Sequence, residues 1–122
     1  MKVLLGIGGS DDSLTALERT VSRAVAAGDE LTVAILDNPQ SDRSKDEIRE
    51  KANGVLDDSE LEASVRDVSG DPGSRLLDIA ESEGFDQIVL GGGQRSPMGK
   101  IRLGHIAEFV LLNSHVSVKL VR

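Results

Sequence analysis

A chain of 122 residues is sized for one domain around one core, and its lack of cysteine excludes disulfides, thiol chemistry and cysteine-based metal sites. The net charge is −7, split unevenly: residues 1–86 carry nine basic and twenty acidic side chains, residues 87–122 five basic and one acidic. That balance excludes general nucleic-acid binding and leaves the last third as the place where an anion would dock.

Only Phe85 and Phe109 are aromatic, so the core must be built from Val, Leu, Ile and Ala. His105 and His115 lie ten residues apart, without the spacing of a zinc motif, and no metal site is expected. No apolar run approaches the roughly 20 residues of a membrane span. A strand expected from Lys2 leaves no room for a signal peptide, which gives a cytoplasmic expectation. Five lysines among fourteen basic residues, and twelve Asp against nine Glu, suit a high-salt interior, where hydrated carboxylates keep a surface soluble.

In chain order, the apolar run 2–7 (KVLLGI) predicts a buried strand. GGSDDS follows, with Ser and Asp suited to a helix N-terminus. Leu14, Leu17, Val21, Ala24 and Val25 repeat at helical spacing, and Gly28 is placed to end the helix. Residues 31–36 (LTVAIL) predict a second strand, and DNPQSD a polar loop. A weaker helix is predicted from about Arg43 to Asn53, with Ile48, Ala52 and Val55 on one face and Gly54 as its stop.

Residues 61–68 alternate apolar and polar, as in a strand near a sheet edge. Asp71 and Pro72 open a third helix that buries Leu76, Leu77, Ile79 and Ala80 and ends at Gly84. Residues 86–90 predict a fourth strand, and the stretch 91–105, GGGQRSPMGKIRLGH, a loop. A fourth helix over about 104–113 is expected to bury Ile106, Phe109, Val110 and Leu112. Residues 116–121 (VSVKLV) form a last strand.

Strand and helix alternate four times before a fifth strand, the pattern of an α/β three-layer sandwich: one parallel sheet with helices on both faces. In such a sheet ligands bind beyond the carboxyl ends of the strands, where the strand order reverses. The glycine-rich loops after strands one and four should open on that crevice.

Known phosphate cradles can be tested against the second loop. A P-loop ending at Gly99-Lys100 would need Gly where Gln94 stands and Ser or Thr where Ile101 stands, so it is rejected. The dinucleotide fingerprint fails as well, because Gly6 and Gly8 are followed by Asp11 at its third position.

The whole chain instead resembles the universal stress protein family. The stretches that carry the resemblance are VLLGIGGSDDSLTALERTV, AAGDELTVAILDNP, GDPGSRLLDIAESEGFDQIVLGGGQRS and LGHIAEFVLLNSHVSVKLVR. It implies one domain over residues 1–122 with strand order 3-2-1-4-5, the adenine nucleotide alpha hydrolase-like fold. It also implies a dimer through the last strand and, in one branch, ATP at the crevice. That branch carries G-x2-G-x9-G-[ST] after strand four and an Asp facing adenine after strand one. Gly91 and Gly104 match; Gln94, His105 and Gly8 depart.

Two readings follow. In the first, ATP, another adenine nucleotide or another phosphorylated ligand binds, with Gly91, Gly92, Gly93, Gln94, Arg95, Gly104 and His105 on the phosphate side. Free backbone N–H groups and a helix N-terminus are the physical means. Gly8, Gly9 and Leu36 would frame the base. In the second, the three departures mark a dimeric interaction module without nucleotide. The dimer edge is placed at Val116, Val118 and Leu120, because a terminal strand exposes unpaired backbone. Asp11, Asp12 and Ser13 read as helix-start residues. No nucleophile–His–acid set or general base stands near the loop, so no catalysis is expected.

Overall fold

Alternation along the first strand decides how the sheet is covered. In β1 (Lys2–Ile7), Val3, Leu5 and Ile7 enter one core and Leu4 the other. In β2 (Glu30–Leu36), Leu31, Val33 and Ile35 join the first core, Ala34 and Leu36 the second. Strands buried on both faces read as nearly continuous apolar runs, as these do. The computed structural model describes residues 1–38, 41–92, 94–95, 101–102 and 104–121; of 94, 95, 101 and 102 it describes the backbone alone.

Five parallel strands follow the order β3-β2-β1-β4-β7, where β3 is Ser64–Val68, β4 Gln87–Gly91 and β7 Ser117–Val121. This is the expected 3-2-1-4-5 order. Leu5 stands opposite both Val33 and Val89, and Val89 opposite Lys119. Helices α1 (Asp11–Ala27) and α2 (Lys45–Asp58) cover the first core; α3 (Pro72–Ser82) and α4 (His105–Asn113) cover the second. Between β4 and α4, β5 (Gln94–Arg95) and β6 (Ile101–Arg102) form a short antiparallel ribbon that the sequence pattern did not announce.

The helix ends follow local chemistry. Ser10, Ser44 and Asp71 cap α1, α2 and α3, each accepting from the backbone N–H three residues on. Gly28 ends α1 at φ 71, its N–H bonded to Ala24 O.

Several boundaries differ from expectation, each for a physical reason. Helix α2 runs through Gly54 to Asp58. Glycine inside a helix costs about 1 kcal/mol, whereas burying Leu56, which only a continued helix achieves, returns about 2 kcal/mol. The longer helix delays β3 to Ser64. Glu60 turns the chain at φ 56, and Leu61 N–H bonds back to Leu56 O.

Val25 is 51% exposed, so the α1 stripe is instead Ala16, Leu17, Val21 and Ala24 with the small polar residues Ser13 and Thr20. In α4 only Ala107 and Val110 are buried; Phe109 is 41% and Leu112 74% exposed. Phe109 turns toward α3, where its ring lies against Gly73.

Val116 precedes β7, its N–H bonded to the Ser114 hydroxyl. Val118 and Leu120 are half-buried against the second core. These side chains pack in part on their own domain, and among the described residues the backbone of β7 pairs only with β4, which leaves its other edge open.

Candidate functional site

The sheet order reverses between β1 and β4, and both strands end at one crevice. On the β1 side the chain leaves the sheet at Gly8 and Gly9, both buried, and enters α1 at Ser10. Ser10 Oγ accepts from Ser13 N–H at 3.1 Å, and the Ser13 hydroxyl donates to Ser10 O at 2.8 Å. With Asp11 and Asp12 in its first turn, α1 has its N-terminal charge complemented from within, so those acids act as helix-start residues.

On the β4 side, Gly91 closes directly on that turn. A Cβ there would lie 2.4 Å from Asp12 O and 2.6 Å from Ser13 N, so only glycine lets the end of β4 abut α1. Gly92 N–H donates to Val121 O at 3.0 Å, extending the β4–β7 ladder. The expected run of three free N–H groups therefore loses Gly92 to the sheet. Gly93 lies outside the described residues, as do the side chains of Gln94, Arg95 and Arg102 and all of Lys100. Gln94 and Arg95 contribute the β5 backbone.

Gly104 and His105 form the start of α4. Gly104 is the N-cap, extended at φ −70 and ψ 163, and no side chain caps the helix. Both residues are exposed. Gly92 approaches this helix, since a Cβ on it would lie 3.8 Å from Ala107 Cβ. The structure thus brings Gly92, the end of β4 and the opening turn of α4 together, and among the described residues no side chain caps that turn.

Toward β2 the crevice deepens into a cavity of about 300 Å³ lined by Gly8, Leu36, Asn38, Ser41, Arg43 and Ile48, with Asp37 and Lys45 at its side. Gly8 and Leu36 lie where the base was expected. Asn38, Ser41, Arg43 and Lys45 were not anticipated as site residues, because a polar loop gives no periodic signal. The Asn38 amide donates to Gly8 O at 3.0 Å. The Arg43 guanidinium donates to Gly9 O and to Asp11 Oδ1, the latter at 3.0 Å. The β2–α2 loop is therefore fastened across the β1 turn.

Behind it, Lys45 Nζ bridges Asp37 Oδ1 at 2.5 Å and Asp67 Oδ1 at 2.6 Å, and Gly70 N–H donates to Asp37 Oδ2 at 2.9 Å. The Lys45 hydrogen bond, then that of Gly70, hold the Asp37 carboxyl below its ordinary value. Burial lowers Lys45, but its bonds to Asp37 and Asp67 more than reverse this and leave the ammonium above its usual range. Asp37 is thus a tie between loops. Among the described residues, no group of three His, Asp or Glu side chains is placed to hold a metal ion, and no helix is long and apolar enough to cross a membrane.

No curated protein sequence matches the chain. Solved structures do: a universal stress protein from Archaeoglobus fulgidus is 23% identical, with TM-score 0.74, over 100% of this chain and 98% of that one. A universal stress protein in complex with cAMP is 25% identical, with TM-score 0.76, over 100% and 96%. The universal stress protein from A. fulgidus in complex with dAMP is 19% identical, with TM-score 0.70, over 100% and 98%. These likenesses share the adenine nucleotide alpha hydrolase-like fold. The model of the family described as "Universal stress protein family" matches residues 1–122. Since that match runs the length of the chain, and the sheet beneath it has the order the resemblance implied, the protein belongs to the universal stress protein family.

Proposed function

We propose that this protein is a non-catalytic, cytoplasmic stress-response regulator that binds an adenine nucleotide or another phosphorylated ligand in the crevice between β1 and β4. The observation that carries the reading is the start of α4. It is the described helix without a side-chain cap, and it opens beside the end of β4 at the point where strand order reverses. Structural neighbours solved with cAMP and dAMP support the ligand class. The phosphate side is assigned to Gly91, Gly92, Gly93, Gln94, Arg95, Gly104 and His105, and the base to the cavity at Gly8, Gly9 and Leu36. A homodimer through β7 completes the reading, and the acidic, lysine-poor composition suits a salt-rich cell.

Calorimetric titration with Mg-ATP and with AMP, at low and at molar KCl, tests it. Micromolar affinity is expected, and Gly104→Leu should abolish it. Among the described residues a Cβ at Gly104 meets nothing within 4 Å, and the backbone there is extended, so the variant is expected to fold, which circular dichroism checks. Unchanged affinity in a folded Gly104→Leu protein would remove the ligand from this site.

A second reading is favoured by a specific observation. Asn38 and Arg43 donate to Gly8 O and Gly9 O, so the protein's own side chains occupy backbone acceptors on the base side. In that case the chain is a ligand-free dimeric interaction module, and no adenine nucleotide gives heat at either salt.

A further inference from the structure

At the opposite end of the sheet lies a second cavity, of about 290 Å³, between the later half of α1 and the β4–β7 margin. It lies on the face that α1 covers, between that helix and the strands β1, β4 and β7. Its floor is apolar, with Val3 and Val89. Its walls carry Arg19, Arg23 and Lys119.

Three facts make these cations more than a solvated rim. Arg19 and Arg23 are four residues apart on α1, a spacing that sets two like charges side by side and weakens the helix unless an anion joins them. Lys119 stands opposite Val89 in the β4–β7 register and so faces the same space from the sheet. The acid lining the cavity, Asp29, is already engaged. Its side chain is 6% exposed, bound to the Met1 amino group at 2.9 Å and to Arg23 Nε at 4.0 Å. Asp29 therefore steers Arg23, while neither Arg19 nor Lys119 has a carboxylate partner among the described residues. In a chain with net charge −7, this is a concentration of uncompensated positive charge over an apolar floor.

We infer that this cavity is a binding site for a small organic oxyanion, a carboxylate or a phosphate monoester on a short apolar body. The charged head is held by Arg19 and Lys119, with Arg23 held ready by Asp29, and the body lies on Val3 and Val89. Its volume is at the lower end of small-molecule pockets, which begin at about 300 Å³, so the ligand is small. The site is independent of the crevice and does not rest on the function proposed for it.

Amide NMR of the full chain, titrated at constant ionic strength with phenyl phosphate, hexanoate and inorganic phosphate, tests the inference. Saturable shifts at Thr20, Gln87 and Lys119 are expected from at least one of the two organic anions, and weaker ones from inorganic phosphate, which lacks the apolar body. Binding of phenyl phosphate assigns the phosphate ester, binding of hexanoate the carboxylate. Arg19→Gln with Lys119→Gln, both on exposed side chains, should weaken binding about ten- to a hundredfold. The inference is overturned if neither organic anion gives saturable shifts, if shifts fall only at Gly8 and Gly92, or if the double variant binds like the parent.

Discussion

Gly91 is the position where one methyl group would be felt most directly. It touches the backbone of Asp12 and Ser13, which cannot rotate away as a flexible side chain would. Gly91→Ala should therefore cost about 1–3 kcal/mol by overpacking, read from urea unfolding, while Gly104→Ala, which only trades one N-cap residue for a poorer one, should cost about 1 kcal/mol or less. A Gly91→Ala protein as stable as the parent would mean that β4 and α1 separate freely at this point. Asp37 makes a different prediction. Its carboxyl is held below the ordinary 3.8 by Lys45 first and by Gly70 N–H second. A depressed value in the folded state means that its contribution is complete above 3.8 and is lost as pH falls through the folded value. The parent should thus be more stable than Asp37→Asn at neutral pH, and the gap should close on acidification. A gap that does not change with pH would show that the tie to Lys45 and Gly70 contributes nothing through charge.

Among the elements, α2 offers the clearest test of what holds a helix in place. Gly54 sits exposed in its interior, and among the described residues a Cβ there meets nothing within 4 Å. Gly54→Ala should stabilise the protein by up to about 1 kcal/mol, seen as a raised thermal midpoint. No change would imply that α2 frays beyond Gly54 in solution. The same helix shows where sequence reading succeeds and fails. The central strands were legible because Leu4, Leu5, Val33, Ile35 and Val89 form short apolar runs that no other element explains. The starts of α1 and α3 were legible from Ser10 and Asp71. The end of α2 was not, because a local stop signal at Gly54 was outweighed by the burial of Leu56, a tertiary effect. The crevice was legible from the strand order and its glycines. Its inner wall was not, since Asn38 and Arg43 reach Gly8 and Gly9 from about thirty positions away, across a loop whose composition only says polar.

For the whole molecule, β7 is an edge strand that among the described residues pairs only with β4, with Lys119 as the one charge between Ser117 and Val121. One lysine is weak protection against pairing with a second copy. Sedimentation should therefore give a dimer, and Val118→Pro, which removes a donor from the open edge while the backbone of Lys119 and Val121 stays paired with β4, should shift it toward monomer. A parent that stays monomeric at high concentration would place the protective device elsewhere on that edge.

The division of the apolar interior by the sheet has a further effect. Leu5 and Ile48 lie in one core, Leu76 and Val110 in the other, with only strand backbone between them. Side chains that share no neighbours lose free energy independently, whereas those within one core compensate or compound each other. Each face can therefore accumulate substitutions almost as though the other did not exist. The exception is the crevice, where Gly91 rests on α1 and Gly92 approaches α4, so that drift on either face is read out at a single place.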